Sequence, residues 1–259
     1  MDLIEKIAED MRKEGFSLEI EIGSQLSNKS WTTRHQAIFR DEDENKSRHI
    51  DIIAHKVIDR AFCQFNRLNY TIVCECKKSE KPWVFYAPPS DILREKDLAI
   101  IFYLKHISHP TLRPREFIGL PYIFQNHYVS KQPINHVAQA HYVAFSNRKE
   151  ASRSDQIFRA MNQVIKATHF HITNTRHLVK SDPQPPLFLM IVYPVIVFEG
   201  KMFRYSLNQE VKPRLQEIQY TKYNATLLGS SEIGEDFLID IVSKGFFPQY
   251  LNWLGDEME

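Results

Sequence analysis

The segment HIDIIAHKVI, residues 49–58, constrains this chain more than any other. Its β-branched residues mark a strand, yet Asp51 stands inside it between Ile50 and Ile52-Ile53. Aspartate is depleted from strand interiors, and a carboxylate among isoleucines is costly unless something compensates its charge. A buried strand follows over Tyr70–Cys76, close enough in sequence to lie beside the first in one sheet, as a hairpin or as a neighbour. Alternation along it sends Glu75 and Lys77 to one face and Cys74 and Cys76 to the other. With Asp51 and Glu75 on facing positions of neighbouring strands, the two carboxylates would bracket one cation. Carboxylate oxygen suits a hard ion such as Mg²⁺, and an ammonium two residues on can orient a water or stabilise a pentavalent phosphorane.

The surrounding pattern places this pair in an α/β chain. Leu3, Ile4, Ile7, Ala8 and Met11 recur at helical spacing before Gly15, which predicts an amphipathic first helix over residues 2–14. Phe16, Leu18, Ile20 and Ile22 alternate with polar residues and predict a strand, followed by a polar stretch over Gly23–Ser30. Residues 41–48, DEDENKSR, form a solvated turn. Beyond Lys78, Pro82, Pro88 and Pro89 mark a loop, with short apolar runs at Leu98–Leu104 and Glu116–Phe124. His141–Phe145 predicts a strand, and Ser152–Thr168 a helix with Ser154 as its cap. Leu187–Phe198 and Lys201–Leu207 predict a hairpin around Glu199-Gly200, and Leu215–Leu228 another strand. Glu235–Leu254 reads as a helix broken near Pro248. The organisation expected is a single domain over 1–259. Residues 1–80 and 141–170 form its core, 81–140 an insertion or substrate-facing lobe, and 187–259 a C-terminal β/α extension.

Composition excludes several classes. With 43% hydrophobic and 25% charged residues in 259, the chain can bury a full core. A net charge of +1 means that affinity for a polyanion must come from local clusters of Lys and Arg. Three cysteines, Cys63, Cys74 and Cys76, make no disulfide framework and fit the reducing cytoplasm. No apolar run reaches the roughly 20 residues that span a bilayer, and the N-terminus has no signal-peptide pattern. No phosphate-binding P-loop, dinucleotide fingerprint or nucleophile-elbow serine is present.

Helix ending in Gly-Phe, Asp51 within an apolar strand, then Glu75-x-Lys77 at the end of the next: this order resembles the PD-(D/E)XK nuclease superfamily, closest to its Mrr-like and Holliday-junction-resolvase-like branches. Ile50 stands where the motif's name has proline. The resemblance implies a restriction-endonuclease-like fold, a mixed central β-sheet flanked by helices, and a Mg²⁺-dependent endonuclease acting on nucleic acid, DNA by preference, with Mn²⁺ as a possible substitute. It makes Asp51 and Glu75 the metal carboxylates, the Cys76 backbone carbonyl a further ligand and Lys77 the catalytic lysine. Many relatives add an acid on the first helix; here Glu5 is the candidate, with Glu9 and Glu21 competing. The rival reading is a silent nuclease-fold module that binds nucleic acid or a protein partner, and the C-terminal third could serve a homodimer.

Around the site, Lys78 and Lys81 with Trp83, Phe85 and Tyr86 combine charge with aromatics, a mixture that binds phosphates and stacks bases but equally builds a core. His55 lies on the strand face of Asp51 and could touch phosphate, although a structural role is the plainer reading. Gln156 and Gln163 of the later helix could face the site or simply be solvated. His169 and His171 would share a face if extended and could take a transition metal; satisfied surface or core histidines are the bland alternative.

Overall fold

The computed structural model describes residues 2–13, 16–41, 43–59, 67–87, 107–108, 137–145, 156–180, 188–207, 212–227 and 235–258. Helices α1 (Leu3–Lys13) and α2 (Phe16–Asn28) precede three long strands, β1 (Thr32–Asp41), β2 (Lys46–Ile58) and β3 (Arg67–Lys78). Next come the short strands β4 (Trp83–Tyr86), β5 (Ile107–Ser108), β6 (Val137–Ala138) and β7 (Ala140–Val143) and the long helix α3 (Gln156–Lys180). The chain continues through β8 (Phe188–Glu199), β9 (Met202–Leu207), β10 (Pro213–Ile218), β11 (Tyr220–Leu227) and β12 (Glu235–Ser243). One 3₁₀ turn (Lys244–Phe246) then leads into α4 (Phe247–Met258).

The result is a mixed α/β fold. Its larger sheet runs β1-β2-β3-β8-β12-β11-β6, with β5 also on β8, and a smaller one runs β10-β9-β4-β7. β1, β2 and β3 form an antiparallel meander, while β8 is parallel to both β3 and β12. A strand flanked on both sides must be apolar on both faces, which is why Met190 to Phe198 is an almost unbroken apolar run. On one face of the large sheet α2 and α4 pack Leu18, Ile22, Leu26, Phe247 and Leu251 against Ile52, Ile72, Cys74 and Val195. On the other, α3 and the smaller sheet pack Ile157, Met161, Val164, Trp83 and Phe85 against Val73, Ile196 and Ile239. Each fully buried Leu or Ile contributes about 1.5–3 kcal/mol, so both faces are needed to hold the sheet flat against its cover. No helix among the described residues is long and apolar enough to cross a membrane.

Several expectations are corrected. Residues 16–22 are helical, not a strand, and the helix continues through the polar stretch to Asn28. The seven-residue run satisfies both periods, but Leu26 extends the four-residue spacing of Leu18 and Ile22, and those three are buried while Phe16 and Ile20 are exposed. Strands β1 and β4 carry no prediction above. The hairpin around Glu199-Gly200 does not form: β8 has β3 and β12 on its flanks, so β9 leaves for the smaller sheet, between β10 and β4. Gly200 is required at this exit, because a Cβ would lie 2.6 Å from the Ser79 carbonyl oxygen. The strand expected over 215–228 is divided between the two sheets at Gln219.

Residues 235–243 form β12, not helix. Their burial on both faces removes the alternation that would have marked a strand. Pro248 is the second residue of α4, where its missing N–H costs nothing, so it starts the helix instead of breaking it. Residues 187–259, expected as an extension, therefore supply the middle of the main sheet. The strand near 141–145 is β7. Gly15, Ser154, the apolar runs at 98–104 and 116–124 and most of the lobe 81–140 lie outside the described residues.

β12 also carries Asp240, which is 3% exposed. It accepts from Lys222 Nζ at 2.7 Å, Tyr220 OH at 2.7 Å and Tyr250 OH at 2.9 Å, tying β11 and α4 to β12. An Asp240→Ala variant leaves the Lys222 ammonium buried and unpaired and should lose about 3–5 kcal/mol of unfolding free energy in urea titration. Adding Lys222→Met should recover most of that loss.

Candidate functional site

Asp51 and Glu75 stand one position beyond the last registered pair of β2 and β3, Ile52↔Cys74, so the two strands present the carboxylates side by side at the end of the meander. Asp51 Oδ2 accepts from the Cys76 backbone N–H at 2.7 Å, which fixes the aspartate against β3. Lys77 donates to Glu75 Oε1 as an ion pair. Glu75 is 0% exposed, and its second oxygen, Oε2, is buried without a hydrogen-bond partner. The cause is β8: Glu75 and Lys77 pair with Ile196 and Phe198, whose side chains belong to the core.

Electrostatics follow from that burial. Desolvation pushes the Glu75 carboxyl up to about 8, against the opposing charge of Lys77 and with Asp51 and Glu19 adding to the rise. The same desolvation raises Asp51, against the Cys76 N–H and Lys77. Burial alone would lower Lys77, but Glu75 and Asp51 outweigh it and hold the ammonium above its ordinary value. The Cys76 thiol is held well up by its hydrogen bond with Cys74 and by burial, which argues against a thiolate nucleophile here.

Three residues at this site carry no assignment from the sequence. Glu19 of α2 is buried and acts through its charge on both Asp51 and Glu75. It accepts from Gln36 Nε2 at 2.5 Å, and His35 Nδ1 lies 3.1 Å from its other oxygen. Gln36 occupies the register position opposite Asp51, between the pairs His35↔Ile52 and Ala37↔Ile50. Its φ of 48° is left-handed, a strain of order 1–3 kcal/mol for a residue with a Cβ. The strand reading of 16–22 hid Glu19 by placing it on the polar face; read as a helix, Glu19 adjoins the stripe of Leu18, Ile22 and Leu26.

The remaining candidates are placed as follows. Glu5 is exposed and caps α1 reciprocally with Asp2, at 2.8 and 3.1 Å. Glu21 is exposed and pairs with Lys244 at 2.7 Å. Lys78 pairs with Glu199 at 3.5 Å, and Lys81 bonds Ser79 Oγ through its backbone N–H at 3.0 Å. Trp83 and Phe85 are fully buried core, Trp83 stacking on Phe198 at 3.9 Å, so they are not base-stacking platforms. Gln156 is exposed at the start of the described part of α3, and Gln163 donates to the His49 carbonyl at 2.6 Å. His55 lies about 13 Å along β2 from Asp51 by strand rise. Its Nδ1 is 3.0 Å from Thr71 Oγ1, and its ring is 5.3 Å from that of His171. His169 and His171 are helical, not extended.

Among the described residues no group of three or more His, Cys, Asp or Glu side chains converges to enclose a metal. Mg²⁺, however, keeps several waters and takes only one or two carboxylates. Asp51 and the unpartnered oxygen of Glu75 fit that requirement. No family model, curated protein or solved structure matches the chain.

Two titrations test this geometry in metal-free protein. Glu75, raised from 4.5 to about 8, keeps its proton in the native state after the unfolded chain has lost it, so its contribution is full below pH 4.5 and disappears as pH rises through about 8. Glu75→Gln should be more stable than the parent by ~1 kcal/mol or more at pH 8 and lack that decline in denaturant titrations. His171 is lowered from 6.5 to about 4 by burial, with His55 and Arg34 adding. Its contribution is present above pH 6.5 and is lost as pH falls through about 4, so His171→Phe should remove roughly 2–3 kcal/mol of acid destabilisation across that window.

Proposed function

We propose that this protein is a Mg²⁺-dependent nuclease built on a restriction-endonuclease-like core and acting on DNA, working in the cytoplasm where Cys74 and Cys76 remain free thiols. The observation that carries this reading is the unpartnered, fully buried oxygen of Glu75 beside Asp51 and Lys77. A buried carboxylate with an open lone pair is costly in a merely structural role, and a divalent cation would satisfy it. The order of elements supports the resemblance: a helix carrying a buried acid, an antiparallel meander, an Asp on its second strand and Glu-x-Lys at the end of its third.

In this reading Asp51, Glu75 and the Cys76 carbonyl hold the ion, with Glu19, not Glu5, as the helical acid that completes their negative field. The bound cation would supply a water of lowered pKa and neutralise charge on the phosphate. The Cys76 N–H orients Asp51, and Glu75 and Asp51 keep Lys77 protonated, so its ammonium is available to a phosphate oxygen as negative charge develops. Lys78, the last residue of β3, and Lys81, three residues beyond it, would track the adjoining backbone.

One observation favours a second reading, a nuclease-fold module that binds without cutting: among the described residues no three-ligand metal cluster forms. Plasmid incubated with Mg²⁺ or Mn²⁺ separates the two. Cleavage should fall by about 10²–10³ in Lys77→Ala, Asp51→Ala and Glu75→Ala, should drop clearly in Glu19→Gln and should be unchanged in Glu5→Gln. Full activity in Lys77→Ala or Asp51→Ala would remove the assignment, and DNA binding with no cleavage by the parent protein would establish the module.

A further inference from the structure

A second uncompensated charge lies away from the carboxylates, in a cavity of about 330 Å³ where the chain crosses from the smaller sheet to the larger one at Gln219. Its walls include Arg204 of β9, Tyr220 and Lys222 of β11, Phe246 of the 3₁₀ turn and Trp253 of α4. The volume is at the lower end of the range for small-molecule sites. Tyr220 and Phe246 both meet the Trp253 ring edge-on, at 5.6 and 4.8 Å, making an aromatic wall with its geometry already set.

The cations in this cavity differ in kind. Lys222 is neutralised by Asp240 behind it. Arg204 pairs in register with Phe85 and so joins the row of Trp83, Phe85 and Met202 that faces the larger sheet. Its Nε is buried with no hydrogen-bond partner. Burial lowers its pKa, and among the described residues no carboxylate offsets that. The one acid on the lining, Glu217, is exposed. A half-buried guanidinium whose Nε lacks a partner gains from an anion, and the aromatic wall asks that the anion carry a flat ring.

We propose that this cavity binds a nucleotide, the base against Tyr220, Phe246 and Trp253 and the phosphate on Arg204. That the ligand is flat and anionic rests on the cavity; that it is a nucleotide rests on the nuclease reading. Tyr220 is level with Cys76 across the sheet, through Cys76↔Val197, Val197↔Val242 and Val242↔Tyr220. Three strand spacings make about 14 Å, the length of about four stacked nucleotides. The source is then either a free mononucleotide or one unpaired residue of a bound strand.

Calorimetry on the full chain in EDTA, titrated with thymidine monophosphate and with tetrathymidylate, tests the proposal. At least one of the two should bind, about tenfold or more weaker in Arg204→Gln, with partial rescue in Arg204→Lys and no change in Glu5→Gln. Binding of both points to a free nucleotide, and of the tetramer alone to a strand. Arg204→Gln should melt no lower than the parent, since it removes a half-buried cation whose Nε is unpartnered; a lower melting temperature together with unchanged binding would overturn the proposal. So would the failure of both probes to bind the parent. If that failure accompanies Lys77-dependent plasmid cleavage, the nuclease reading stands without the cavity, whereas Arg204-dependent binding without cleavage leaves the cavity standing without the nuclease.

Discussion

All 12 residues of β3 pair in register with β8, from Arg67↔Phe188 to Lys78↔Glu199. The candidate site depends on this pairing. An antiparallel meander alone would leave β3 at an edge, with Glu75 closer to water. Parallel addition of β8 desolvates Glu75, brings its ion pair with Lys77 into the sheet and leaves one oxygen bare. The same addition forces the chain to return across the sheet, which is what α3 between β3 and β8 does, since parallel neighbours need a crossover. The burial that holds the sheet together and the burial that perturbs Glu75 therefore have one cause.

The charged triad was legible because each member breaks a local rule. Asp51 interrupts isoleucines, and Glu75 and Lys77 occupy one face of an otherwise apolar strand. β2 was legible because a partly exposed strand keeps its alternation, and β3 as a short apolar run between polar residues. β12 was not: buried on both faces, it has no alternation left to read, and Phe237, Leu238, Ile241 and Val242 satisfy a helical period by accident of continuous burial. α2 failed from the opposite side, because a window of seven residues cannot separate period 2 from period 3.6 when both fit. That one misreading also concealed Glu19, whose role depends wholly on which helix face it occupies. Nothing in the sequence marked Gln36, since its significance is a register position and a φ angle.

Buried carboxylates recur elsewhere in the fold, and comparing them shows what separates Glu75 from a structural ion pair. Asp41 is 2% exposed, but Arg48 and Lys166 both donate to it at 2.7 and 2.8 Å. Burial works to raise its pKa, yet those donors more than reverse it and the carboxyl ends lowered. Asp240 is just as deep and has three donors on its two oxygens. Glu75 has one donor, and its carboxyl ends raised. The donors on Asp41 outweigh its desolvation, whereas the single donor on Glu75 does not. The fold gives Asp41 and Asp240 donors on both oxygens and leaves Glu75 Oε2 without one.

The same reasoning applies to cations. Lys222 and Arg204 line one cavity, yet the first has Asp240 and the second has no acid lowering its cost. Among the described residues, Glu75 and Arg204 are the charged side chains that keep a buried, unpartnered polar atom. They are opposite in sign, Glu75 on a strand of the larger sheet and Arg204 on β9 of the smaller one, and Arg204 shares its cavity with Tyr220, three strands across the larger sheet from Cys76. On the proposed reading a phosphodiester strand would offer both partners at once: oxygens for a cation held by Glu75, and a further phosphate for Arg204. Neither charge needs the other to be explained, but one extended polyanion with flat bases compensates both, which a small metabolite confined to either site does not.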